Sequence, residues 1–170
     1  MLTQSLLTAH VIFGAIVLLL GLWIMLRPKG DRRHVLIGWA YVISMWAICC
    51  SAFLLVTFHR FSFFLMVVGV LTFYFSFAGV RVIRRKKDGG EKWFDWAVSA
   101  LTLAFGLGLI GYGIYVAFLV QGFHVLTLLS SIFGIGMTRM GWKDLRFFLA
   151  PEGRERQWWL YQHISAMGGS

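Results

Sequence analysis

The sequence predicts an all-α protein: an integral membrane helical bundle with five full transmembrane helices, a partial sixth and the N-terminus outside. Three observations carry this. First, of 170 residues 59% are hydrophobic and only 14% charged, with mean hydropathy +0.75, whereas a soluble domain is about half apolar and about a quarter charged. Second, five apolar runs approach or exceed the ~20 residues that a span requires. Third, every one of the 16 lysines and arginines except Arg60 falls in or beside the segments 27–33, 81–92 and 139–156. A net charge of +9 distributed in this way marks topology and contact with anionic lipid, and argues against nucleic acid as a partner.

The elements follow in order, and the whole of 1–170 reads as one transmembrane helical domain. The first span covers about 6–26. It is too long for the apolar core of a signal peptide, has no basic segment before it and lacks a small-x-small cleavage site, so it is expected to be retained. The second covers 35–58, and a short His59-Arg60 turn leads to the third at 61–83. Arg84 to Lys92 reads as a solvated loop. The fourth span covers 94–120, and a tight Gln121-Gly122 turn leads to the fifth at about 124–140. Trp142 to Arg156, with Pro151-Glu-Gly153, reads as a polar connector. A sixth helix begins near 157, and its 11 residues to Met167 make roughly 16 Å, short of a hydrocarbon core of about 30 Å. The expectation is that the polypeptide continues beyond Ser170 or that this end is shielded by another subunit.

By the positive-inside rule the three basic segments are cytoplasmic. All seven acidic residues lie on that side. Trp23, Trp39, Trp93, Trp96, Trp142, Trp158 and Trp159 gather there too, as an interfacial belt does.

Small residues predict how the helices meet. Gly69, Thr72, Ser76 and Gly79 share a face of the third span. The fourth carries Gly106, Gly108, Gly111 and Gly113, and the fifth Gly134 and Gly136. In lipid, helix association rests on close backbone approach, so these are expected contact faces, within the chain or towards other membrane subunits or a homo-oligomer. The GxGxxG spacing in the fourth span has no preceding strand and is not a dinucleotide motif. Adjacent Cys49 and Cys50 point about 100° apart on a helix and read as small apolar fillers rather than a disulfide.

One short pattern occurs twice: His10-Val-Ile-Phe-Gly14 and His34-Val-Leu-Ile-Gly38. On a helix a glycine four residues on shares the face of the histidine, one turn along. An imidazole beside bare backbone can seat a flat ligand. The five histidines are the ionisable side chains expected at membrane depth, and such groups are functional candidates by default. Two clusters follow, His10 with His124 and His59 on the outer side, and His34 with His163 on the inner. His59, beside Arg60 in a turn, reads as interfacial.

The first functional expectation is b-type haem, in an electron-transfer or accessory redox subunit. Imidazoles from facing helices ligate its iron, and Gly14 and Gly38 let the porphyrin edge approach the helix. His34 and His163 are the inner ligands, His10 and His124 the outer. The second is an inner-side zinc centre in a membrane enzyme, with His34, His163 and a carboxylate from Asp31, Asp95 or Asp144, leaving a fourth position for water. No HExxH spacing supports it, and Asp95 and Asp144 are more simply interfacial. The third is a structural or accessory subunit without chemistry. A carboxylate-driven transporter is disfavoured because no Asp or Glu falls in the interior of the expected spans, Asp95 standing at the very start of the fourth.

These motifs resemble a family of uncharacterised bacterial multi-pass inner-membrane proteins. The likeness rests on His10-x-x-x-Gly14, Pro28-Lys-Gly30 before His34-x-x-x-Gly38-Trp-x-Tyr41, Gly79-x-Arg81, Lys143-Asp-Leu-Arg146 and His163-x-x-x-Met167. It covers nearly the whole chain. It implies the bacterial cytoplasmic membrane as location and one more span after the last histidine motif, where this chain departs. It implies no activity. A looser likeness to di-haem cytochrome b561-type bundles rests on histidines near both faces, although the helix spacing of those bundles is not reproduced.

Overall fold

The computed structural model describes residues 2–58, 62–88, 90–120, 124–150 and 156–170. These form six α-helices and, among the described residues, no strand: α1 Leu2–Leu26, α2 Arg32–Phe58, α3 Phe63–Asp88, α4 Trp93–Val120, α5 Val125–Leu149 and α6 Trp158–Gly169. The first five are long and apolar enough to cross a membrane. The sixth, with 12 residues, reaches roughly 18 Å.

Two boundaries differ from the sequence expectation. α3 runs on through Arg84, Arg85 and Lys86 to Asp88, because no glycine or proline is met in that basic run before Gly89. α5 runs through Trp142 to Leu149, so most of the expected polar connector is helix. From Trp142 to Leu149 it meets neither glycine nor proline, the first proline being Pro151. The expected turns at 59–60 and 121–122, the Pro151-Glu-Gly153 segment and His59 lie outside the described residues.

The chain divides into two compact units, residues 1–77 with 166–170 and residues 78–165, so that α3 and α6 each contribute to both. In the first unit α1 packs on α2. The reversal between them uses Gly30 at φ 92, a conformation that costs glycine little. Asp31 then caps α2, its Oδ1 accepting the His34 backbone N–H at 2.6 Å. α2 supplies the core of this unit, burying Tyr41, Val42, Met45, Cys49, Ala52 and Leu55 along one side. α1 contributes little: only 6% of its most apolar stretch is buried, against 44% for α2. Gly21 lies under the Tyr41 ring, where an added Cβ would come to 3.3 Å. The small-residue face expected on the third span is used here: Gly69 abuts Phe53, and Ser76 Oγ accepts from Trp46 Nε1 at 3.1 Å. Cys49 is buried and Cys50 exposed, both as free thiols.

In the second unit α4 and α5 approach closely enough to exclude side chains. A Cβ on Gly106 would stand 2.5 Å from Thr138 N, one on Gly134 2.9 Å from Gly106 O, and one on Gly141 2.7 Å from Leu103 N. Gly113 meets Ser130 Oγ at 2.6 Å in the same sense. The contact faces expected on the fourth and fifth spans are therefore consumed within the chain at Gly106, Gly113 and Gly134. Gly108, Gly111 and Gly136 face open space.

Candidate functional site

The first unit contains His10 and His34. His10 sits on α1 opposite Ser51 of α2, with Nδ1 2.8 Å from Ser51 Oγ. Ser51 directs its single hydroxyl proton to the Ile48 carbonyl at 2.9 Å, so the imidazole is the donor and Nδ1 carries the proton. In the neutral ring this leaves Nε2 as the bare nitrogen. Gly14, one turn along, has no atom of the chain within 4 Å of where a Cβ would stand. His34 occupies the first turn of α2 and is partly buried. Gly38, one turn on, is open in the same sense as Gly14.

The second unit contains His124 and His163. His163 on α6 donates from Nδ1 to the Gly79 carbonyl of α3 at 2.9 Å. A carbonyl can only accept, so here too the proton is on Nδ1 and Nε2 is bare. His124 shows the opposite arrangement. It is the N-cap of α5, and its Nδ1 accepts the Leu126 N–H at 3.2 Å, which puts the proton of the neutral ring on Nε2. Each pairing expected from the sequence, His34 with His163 and His10 with His124, takes one histidine from each unit.

Sequence reasoning missed a polar constellation in the second unit. Arg81 and Asp95 form a buried ion pair at 2.7 Å. Both carboxylate oxygens are engaged, Oδ1 by Arg81 Nε and Oδ2 by Arg81 Nη2 and by the Lys92 backbone N–H at 2.9 Å. The last contact is half of a capping box, with Asp95 at the third position of α4 reaching back to the cap. Asp95 is 3% exposed and Arg81 6%, so both charges are withdrawn into the protein. One turn beyond Arg81, Arg85 is buried as well. Its Nη2 donates to Gln162 Oε1 at 3.4 Å, and its guanidinium lies 4.9 Å over the Phe148 ring. Ser99 donates to Asp144 Oδ2 at 3.4 Å.

These contacts tie α3, α4, α5 and α6 together through ionisable and polar side chains. Asp95 of α4 and Asp144 of α5 thus lie near the ends of helices of spanning length. The signal for this was present in one place: Arg81 stands inside the apolar run Gly79-Val-Arg81-Val-Ile83, and a charge so placed requires a partner.

Among the described residues no three His, Cys, Asp or Glu side chains come together in a group that could hold a metal ion. Asp95, one proposed carboxylate ligand for zinc, is committed to Arg81. The donors that suit a cofactor are the bare Nε2 atoms of His10 and His163, each on a ring oriented through its other nitrogen. That is the usual state of a metal-ligating histidine. Comparison of the chain with protein-family models, with curated proteins and with solved structures gives no match.

Proposed function

We propose that this is a multi-pass protein of a bacterial cytoplasmic membrane, with its basic segments inside, that binds b-type haem as an electron-transfer or accessory redox subunit. The observation that carries the reading is the shared tautomer of His10 and His163. Each ring is oriented by an Nδ1–H hydrogen bond that leaves Nε2 to act as an axial ligand. Open space at Gly14 and Gly38 supports it, since a flat macrocycle needs backbone without side chains beside it. His34, one turn before Gly38, stays in the ligand set. His124 takes the role of a helix cap. Haem when bound supplies a one-electron couple. Ser51 and the Gly79 carbonyl would orient the ligating rings.

The test is an absorption spectrum of the detergent-purified protein, made with ample haem, before and after dithionite. The expected result is a Soret band and sharpened visible bands on reduction, diminished in His10→Ala and in His163→Ala and retained in His124→Asn, which preserves a capping side chain. Absence of a Soret band from the wild type removes the reading and leaves a non-catalytic accessory subunit.

A further inference from the structure

We propose that the outward face near the C-terminal end of α5 is a binding site for the phosphate headgroup of an anionic phospholipid. Arg139, Lys143 and Arg146 succeed one another at spacings of four and three residues, so they form one stripe along about 10 Å of helix. All three are exposed. They line a groove of about 610 Å³ together with Gly136, Met140 and Trp142.

Three observations fix this face and its charge. The opposite side of α5 is held against α4, where Gly134 and Gly141 stand so near the backbone of the partner helix that α5 cannot turn about its own axis. α5 carries a single acidic residue, Asp144, which accepts from Ser99 of α4 at 3.4 Å, so the three cations of the stripe outnumber the acidic charge of their helix. Gly136 and Met140 provide an apolar floor on the side of the membrane-spanning part of the helix, and Trp142 flanks the groove with 54% of its surface exposed.

The inference rests on α5 crossing a bilayer and is independent of haem. With α5 inserted, the stripe comes to the level where its apolar portion ends, the depth of lipid phosphates. Arginine pairs suit a phosphate through their forked donors. The absence of a side chain at Gly136 leaves room for the first segment of an acyl chain. Charge complementarity selects an anionic lipid over a zwitterionic one, each cation near the surface contributing about fivefold.

The test uses the full chain, delipidated in detergent and exposed to defined phosphatidylglycerol or phosphatidylcholine, with retained lipid counted by native mass spectrometry. The expected result is retention of phosphatidylglycerol in preference to phosphatidylcholine. That preference falls about a hundredfold in Arg139→Gln/Lys143→Gln/Arg146→Gln and about fivefold in Lys143→Gln alone, which serves if the triple variant does not fold. Arg27→Gln/Arg32→Gln/Arg33→Gln removes the same charge elsewhere and should keep the preference. Equal retention of the two lipids, equal loss in both triple variants, or displacement of the lipid by millimolar inorganic phosphate would each overturn the proposal, the last by assigning the groove to a soluble anion.

Discussion

Arg81 and Asp95 meet through two parallel hydrogen bonds, Nε to Oδ1 and Nη2 to Oδ2, each at 2.7 Å. A pair in this geometry, with both side chains withdrawn from solvent, behaves differently when one partner is removed than when both are. Arg81→Met or Asp95→Leu alone leaves an uncompensated buried charge and should cost about 3–5 kcal/mol. The double variant should recover much of that loss. Thermal unfolding in detergent, followed by circular dichroism, checks it. Single and double variants of equal stability would show that the pair is not a coupled unit.

The glycines of α4 divide into two kinds that stability can separate. Gly106→Ala drives a methyl into the Thr138 backbone, and relief requires the helices to part, at about 1–3 kcal/mol. Gly108→Ala meets open space and should fall within about 1 kcal/mol of the parent, on the stabilising side, because alanine is the better helix former. The same melting experiment reads both, and a reversed order would mean that the α4–α5 contact is not as close as described.

Ser51 is a positioning residue for His10. On the proposed haem-binding function, Ser51→Ala removes the acceptor that orients the ring and should weaken haem retention about 10–100-fold, measured by transfer to apomyoglobin. Ser51→Thr keeps the hydroxyl and should stay near the parent. A merely structural serine would instead lower the melting temperature and leave haem transfer unchanged.

Topology is open to direct labelling. In a background carrying Cys49→Ser and Cys50→Ala, single cysteines at Gly30→Cys and Gly90→Cys should resist a membrane-impermeant maleimide in intact cells and react after lysis. Ser5→Cys should react from outside. Labelling of position 90 from outside would invert the orientation.

The helices were legible because lipid-compatible length is written in composition: five apolar runs became five helices of spanning length. Their polar ends were less so. Basic residues from Arg84 to Lys86 read as loop because a run of charge suggests solvation, yet no residue there breaks a helix, and Arg85 finds a buried place against Phe148 and Gln162. Asp95 could be seen as charged but not as paired. Its partner lies 14 positions away on the preceding helix, a separation that no helical spacing connects. The histidines were identifiable by type and spacing, whereas their tautomers depended on Ser51, Gly79 and Leu126, none of which the spacing points to.

The bareness of α1 has a consequence for how the sequence can drift. On its outer arc Leu18, Leu19 and Leu22 remain well exposed, so those positions specify only that the residue dissolve among acyl chains, and exchange with isoleucine, valine or phenylalanine should pass unnoticed. Gly21 carries a different kind of information. A single methyl there would press on the Tyr41 ring at 3.3 Å, whose hydroxyl is hydrogen-bonded to Ser170 Oγ at 3.0 Å. Neighbouring positions of the same helix are thus written in two scripts, one read by the surrounding medium and one read by the Tyr41 ring.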